Sequence, residues 1–451
     1  MVILKESTAS SPNFLGYVVL LFNLLNCKRL HFRRTRYPKS LLRNRKTKKG
    51  ETIMKKLLAL SLALIMALGL IACGNSSTPA TTSAGNAAAP AGDTKTDAPK
   101  GEILIGCLQD ITGNTSALGK SVQAGAQAAV DEINANGGIG GQTLVMKTYD
   151  TKGDVTEAVN AYITAVTVDK VALIVGPPVA NIANAIKETS EDYDVPVVGL
   201  AMDPSCQLKA DGTPYAHMFC LQPSALTQGQ IMASFALKNG LKTFGVLYNQ
   251  ENAYSVSLLD PFLDTLSEGG VTVDPSLIVA YGASDTDYKT LLQPIVAAGV
   301  DAIYCPNYTQ QLVAICTAAA ELGYTGKVIN GLDAAPSFNT TYGGDCSNVY
   351  FINNINTEDE TTAAMIEQIA DKVSAPNKYF LGYDIVMACK QSIEKVGLDA
   401  SALCEEMASL DYTGLTGHIT IDPTTHMPKG MGMFMYTYDY QTPVMLEEFA
   451  G

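Results

Sequence analysis

The segment most like a chemical motif is Asp110-Ile111-Thr112-Gly113-Asn114-Thr115-Ser116-Ala117-Leu118-Gly119-Lys120-Ser121. A phosphate-cradling loop needs four residues between its first glycine and the Gly-Lys-Ser, so that successive backbone N–H groups wrap one phosphate. Five residues separate Gly113 from Gly119, which favours a polar loop that caps a helix and could touch a small solute. Gly137-Gly138-Ile139-Gly140-Gly141 lies between a helix and a strand, the wrong order for a dinucleotide site, and reads as a turn. The carboxylates of Asp150–Asp154 and Asp345–Glu360 lack the alternating spacing of a calcium loop and read as solvated surface. Of ten cysteines, none forms a C-x-x-C pair, so a zinc or redox site is weakly supported. Cys206 and Cys220 flank one loop and are the pair to test for a disulfide, whereas Cys107, Cys305, Cys316 and Cys389 read as core. No nucleophile elbow, H-E-x-x-H or Ser/His/Asp arrangement occurs. His217, His418 and His426 sit near prolines or turns and read as surface or satisfied loop positions. These patterns predict no catalysis, no cofactor and no metal.

Charge narrows the function further. The formal net charge of −13 hides an asymmetry: residues 1–53 carry 12 Lys+Arg and two acidic residues, while residues 74–451 carry 17 Lys, no Arg and 42 Asp+Glu. So acidic a body is a poor nucleic-acid binder, because phosphate contacts need Lys/Arg clusters. Met54-Lys55-Lys56, the apolar run Leu57–Leu70 and the ending Leu70-Ile71-Ala72-Cys73 have the parts of a secretory signal. That ending resembles a bacterial lipoprotein signal, which implies cleavage before Cys73, a diacylglycerol on its sulfur, and a body anchored outside the cytoplasm. Residues 1–53 are set aside as a mis-set start or extension, and 54–73 as the signal. Residues 74–100, rich in Ser, Thr, Ala, Pro and Gly, read as a flexible linker.

From Gly101 strands and helices alternate. Strands are predicted at 102–107, 143–149, 171–175 and 195–200, with helices at 122–134, 155–168 and 181–189 between them. The rhythm restarts with helices at 228–239, 255–267, 288–298 and 310–322 and strands at 243–248, 272–280, 302–305 and 327–330. Such alternation predicts parallel sheets covered on both faces, and two runs predict two α/β lobes. Ligands then bind beyond the carboxyl ends of the strands.

The residues carry a family resemblance over nearly the whole body. Ile105-Gly106 with Thr112-Gly113, Ala129-Val130-Asp131-Glu132-Ile133-Asn134 with Gly137-Gly138-Ile139, Gly176-Pro177, Val195-Pro196-Val197, Asp285-Thr286-Asp287-Tyr288, Gly382-Tyr383-Asp384 and Gly414-Leu415-Thr416-Gly417 occur in order. The chain resembles the solute-binding proteins of ABC importers for branched-chain amino acids (Leu/Ile/Val) and related solutes, of periplasmic-binding protein type I. The resemblance implies two Rossmann-like lobes joined by three crossovers. Lobe 1 would take 101–222 plus about 355–415, and lobe 2 about 223–354 plus 416–451. It implies capture of a small-molecule ligand by cleft closure, delivery to an ABC permease and no catalysis; a ligand-sensing module for a receptor or regulator would share the fold. It places Leu118 in a side-chain pocket, Ala180 and Asn181 on one carboxylate-binding loop, and Ala201 and Asp203 on the next. Tyr254 and Tyr308 fall at aromatic positions of the second lobe, and Asp333 at an acidic position that holds a ligand ammonium. Ala180 and Asp203 stand where hydroxyl residues are usual, so a cationic, amide or otherwise altered ligand is expected. Asp203 could instead cap the following helix.

Overall fold

A computed structural model describes residues 101–332 and 338–449. Cys73, expected to carry the lipid, lies outside the described residues, as do the segments expected to be signal and linker, and Asp333.

The first strand, β1 (Glu102–Gln109), buries Ile103, Ile105, Cys107 and Leu108, so side chains on both of its faces leave water. Only a strand covered by helices on both sides can do so. It pairs in parallel with β2 (Thr143–Asp150) on one side and β3 (Ile174–Val175) on the other, and β4 (Val197–Gly199) and β5 (Met218–Cys220) complete the sheet in the order β2-β1-β3-β4-β5. Helices α1 (Ser116–Ala135), α2 (Val155–Ile163) and α3 (Ala180–Ser190) link these strands.

After α4 (Ala225–Lys238) the second lobe repeats the order. Strands β6 (Phe244–Asn249), β7 (Ile278–Tyr281), β8 (Ala302–Tyr304), β9 (Lys327–Ile329) and β10 (Val349–Asn353) run parallel as β7-β6-β8-β9-β10. Helices α5 (Ala253–Ser257), α6 (Leu259–Glu268), α7 (Tyr288–Ala297) and α8 (Thr309–Glu321) join them, and α9 (Phe338–Tyr342) follows β9. In each lobe the strand order reverses beside the first strand, β1 and β6, and that switch point opens a crevice at the strand carboxyl ends.

The chain returns to the first lobe through α10 (Glu360–Ile369), α11 (Pro376–Val396) and α12 (Ala400–Ala408). The long α11 lies against α1 with almost no gap: a Cβ on Gly382 would collide with the Val122 carbonyl, and one on Gly125 with the Tyr379 carbonyl. Asp384, fully buried, accepts hydrogen bonds from Leu415 N (2.8 Å), Thr416 N (2.8 Å) and Thr416 Oγ1 (2.6 Å), tying α11 to the 414–417 turn. Burial nonetheless pushes its carboxyl above the usual carboxylate range, against those hydrogen bonds.

Several expectations need correction. The return to lobe 2 lies near residue 432, not 416. Strands β11 (Asp411–Gly414), β12 (Gly417–Asp422) and β13 (Met427–Lys429) form an antiparallel sheet whose Ile419 and Ile421 join Met431 in the first lobe's core. Cys220 N donates to His426 O at 3.0 Å, hanging this sheet on β5. Met433 and Met435 begin the second lobe's last pair, β14 (Met433–Asp439) and β15 (Thr442–Phe449). These two are antiparallel to β10 and to each other, so the second sheet is mixed. The strand expected over 272–280 shrinks to 278–281, because Pro275 supplies no N–H and Asp274 caps a short turn there. The helix expected over 255–267 breaks at Leu258, whose carbonyl accepts the Tyr304 hydroxyl at 3.0 Å. Of the two placements expected for His426, surface or satisfied loop, the second holds: it is buried in a turn, stacked on Phe219, with Nδ1 3.2 Å from the Met218 carbonyl. Cys206 and Cys220 are both free and buried, with Cys206 Sγ near the Ala180 carbonyl and Cys220 Sγ near the Gln222 carbonyl. Asp154 is exposed, as expected, and also caps α2 through Thr156 N and Glu157 N.

Candidate ligand-binding cleft

The loop after β1 is built around carboxylates. Asp110 Oδ1 accepts Gly113 N at 2.5 Å, and Oδ2 accepts Thr115 N at 2.8 Å and Thr115 Oγ1 at 2.7 Å. Asp150 accepts Ile111 N (2.9 Å), Thr112 Oγ1 (2.7 Å) and Lys152 N (2.8 Å). Burial pushes the Asp150 carboxyl up, but the Thr112 hydroxyl and the backbone N–H groups outweigh it and hold it below the ordinary range. The near match to a phosphate loop is thereby explained: the N–H groups that would wrap a phosphate wrap Asp110. Gly119 is glycine because a Cβ there would meet the Asp110 carbonyl.

This loop presents Leu118 to the second lobe. Leu118, with Asn114, Thr115 and Ala117, lines a hollow of about 270 Å³. Tyr308, Thr309, Gln310 and Gln311 close it from lobe 2, and Ser374 and Ala375 from the returning chain. Tyr308 follows β8, at the second sheet's switch point. Its ring stacks on Tyr254 at 5.2 Å and 10°. Tyr254, which follows β6, is buried with its hydroxyl beside Gly331. Ala180 and Ala201 are 2% exposed and belong to one apolar cluster, against which Leu118, Ala253 and Tyr308 pack. Leu118, Ala180, Ala201, Tyr254 and Tyr308 thus share one apolar zone where the two lobes meet.

Asn181 and Asp203 face a second, more open hollow of about 590 Å³, shared with Gln250, Glu251 and Ala253 of lobe 2. Asn181 reaches across: its Nδ2 donates to the Glu251 carbonyl (3.1 Å) and its Oδ1 accepts from Ala253 N (2.7 Å). Asp203 caps the turn Pro204–Cys206. Its Oδ1 accepts Ser205 N (2.9 Å), and its Oδ2 accepts Ser205 Oγ (2.8 Å) and Asn184 Nδ2 (3.3 Å). A carboxylate engaged in this way no longer argues for a cationic or amide ligand.

Three polar residues missed in the sequence sit where the chain crosses between lobes. Gln228 donates through Nε2 to the Pro223 carbonyl (2.8 Å) and to Met202 Sδ, and its Oε1 accepts Leu332 N at 3.4 Å. Gln222 and Lys378, both buried, meet through a 2.6 Å hydrogen bond. Their signal was present: Lys378 falls on the apolar stripe of α11, three and seven residues before the buried Leu381 and Ile385. Among the described residues no group of His, Cys, Asp and Glu could hold a metal ion, and no helix is long and apolar enough to cross a membrane.

Residues 102–442 match the family model described as periplasmic binding protein. Leu/Ile/Val-binding protein BraC3 of Rhizobium johnstonii is 28% identical over 302 residues, 66% of this chain and 80% of that protein. The leucine-, isoleucine-, valine-, threonine- and alanine-binding protein of Pseudomonas aeruginosa is 24% identical over 71% of this chain and 86% of its own length. The crystal structure of a leucine binding protein from Thermotoga maritima superposes with a TM-score of 0.69 at 25% identity, covering 77% of this chain and 99% of that one.

Proposed function

Because the chain belongs to the periplasmic binding protein family and is a solute-binding protein rather than an enzyme, we propose that its lobes close on an amino acid or related small solute and hand it to an ABC permease. The observation that carries this reading is the meeting of both switch points. Leu118 from the crevice beside β1 and Tyr308 with Tyr254 from the crevice beside β6 bound one zone between the lobes. A solute lodged there touches both halves, so its binding energy favours the closed arrangement over the open one. The stacked tyrosines supply rigid apolar area at low entropic cost. Names of the relatives, which specify leucine, isoleucine and valine, point to amino acids as the first solutes to try. Asp333, on the segment after β9, is assigned to the ligand ammonium.

The test is a thermal-shift screen across amino acids, their amides and small carboxylates. A solute at 100 times its Kd adds about 2.7 kcal/mol to stability by mass action, enough to raise the melting temperature measurably. If no member of the panel moves it, the reading fails. The lipid anchor is tested separately: Cys73→Ala should release the protein from the membrane fraction.

A further inference from the structure

Asn353 and Asn354 end β10 and begin the second crossing between the lobes; they are 3% and 1% exposed. Asn377, 1% exposed, stands where that crossing ends, in the first turn of α11. These buried amides are incompletely used. Asn353 Oδ1, both Oδ1 and Nδ2 of Asn354, and Asn377 Nδ2 bond to no protein group. Leaving buried donors and acceptors unpaired costs more than a made hydrogen bond returns, and folded proteins rarely accept it. Four such atoms at the two ends of one crossing call for a reason beyond the fold.

Position supplies one. β10 ends at the carboxyl edge of the second sheet, the edge that faces the other lobe. Asn377 follows by two residues Ala375, which lines the hollow with Leu118 and Tyr308. The crossing is anchored at each end to a different lobe. The Tyr436 hydroxyl of lobe 2 donates to Ile355 O (3.2 Å) and accepts from Thr357 N (2.8 Å). At the far end Ala375 N donates to Ser121 Oγ of lobe 1 at 3.2 Å. Between the anchors α10 has no buried residue, so it can follow a change of angle between the lobes without disturbing either core. Separating the lobes admits water to the amides beside both anchors, and water satisfies them. The unpaired atoms therefore penalise only the arrangement in which the lobes are together.

We propose that Asn354 and Asn377, with Asn353, set an opening bias at the second crossing: they destabilise the lobes-together arrangement of the empty protein, so that contacts from a solute are needed to hold it. This rests on the solute-binding reading above and adds to it the residues that set the closing equilibrium, which the Asn181 bridge opposes.

The experiment uses the full chain without solute. Val155 of lobe 1 and Val256 of lobe 2 are exposed and line one hollow between the lobes. In Val155→Cys/Val256→Cys a short bis-maleimide joins them at a rate proportional to the time the lobes spend together. That rate is compared before and after adding Asn354→Leu or Asn377→Leu, with the two single-cysteine chains as blanks. Leucine keeps the branched shape of asparagine without its polar atoms. Each should raise the rate ~5-fold or more, the population change expected when an unpaired buried group is removed. A rise with only one of them places the bias at that end of the crossing. Should Asn354→Leu fail to fold, Asn377→Leu decides the matter. A merely structural role would move the urea midpoint and leave the rate alone. A rate unchanged or slower in the folded variants overturns the bias while leaving solute capture, which the thermal-shift screen tests, intact.

Discussion

Asn181→Ala removes the amide that bridges the lobes. The side chain makes two hydrogen bonds across the gap, to the Glu251 carbonyl at 3.1 Å and from Ala253 N at 2.7 Å. Both are neutral and solvent-accessible, so each is worth at the low end of about 0.5–1.5 kcal/mol. Together they contribute about 1–2 kcal/mol. Asn181 and its two partners belong to different lobes, so the bonds form only when the lobes are together. Their loss therefore falls on the closing step rather than on either lobe's core. At about 1.4 kcal/mol per factor of ten, the affinity for a captured solute should drop roughly 5- to 30-fold. Most of that drop should appear as faster release. Stopped-flow dissociation and calorimetry measure both parts, and the melting temperature of the unliganded protein should stay within a few degrees of wild type. An unchanged affinity would show that the bridge does not hold the closed arrangement. A melting temperature that falls while affinity holds would make Asn181 a residue of the fold, not of closure.

Other substitutions test the frame. Gly382→Ala forces a methyl against the Val122 carbonyl at the α1–α11 crossing and should cost about 1–3 kcal/mol, as overpacking does, read by urea denaturation. Asp384→Asn replaces an acceptor of four hydrogen bonds with a group that has one acceptor oxygen; leaving buried donors unpaired should cost about 2–4 kcal/mol, and a variant as stable as wild type contradicts the role given to Asp384. The pH dependence centres on His426. Burial lowers its pKa from 6.5, outweighing the Met218 and Tyr215 carbonyls and the carboxylates of Glu191 and Asp422. A depressed histidine favours the neutral ring in the folded state, so its contribution is fully present above about pH 6.5 and is lost as pH falls below that value. Chemical denaturation at pH 7.5 and 5 should show the loss in wild type and a smaller loss in His426→Asn, a residue that tolerates the positive φ of this position.

What the sequence disclosed was mostly what repeats. The alternation of buried strands with helices is visible because parallel strands such as Ile103–Leu108 are apolar on both faces. Both runs therefore appeared, with the loops that face the cleft at their carboxyl ends. The third crossover was less visible. Residues 417–431 carry an ordinary alternating strand pattern, and only the contacts of Ile419, Ile421 and His426 decide which lobe receives them. That Leu118, Tyr254 and Tyr308 come together where the lobes meet follows from their places on the strand-to-helix loops, but the engagement of Asp203 and Asn181 could not be read that way. Capping by Asp203 depends on where Asn184 and Ser205 fall. Bridging by Asn181 depends on a loop 70 residues away. Lys378 carried a signal in helical spacing, a cation on an apolar stripe, but its hydrogen bond to Gln222, 156 residues away, is visible only in three dimensions.

Small-angle scattering with and without a solute that raises the melting temperature tests the clamp most directly. Two lobes that close on their ligand should give a smaller radius of gyration when it is bound, and Asn181→Ala should need more ligand to reach the same compaction. A solute that binds tightly while the scattering curve stays superimposable from the first addition to saturation would contradict closure as the means of capture.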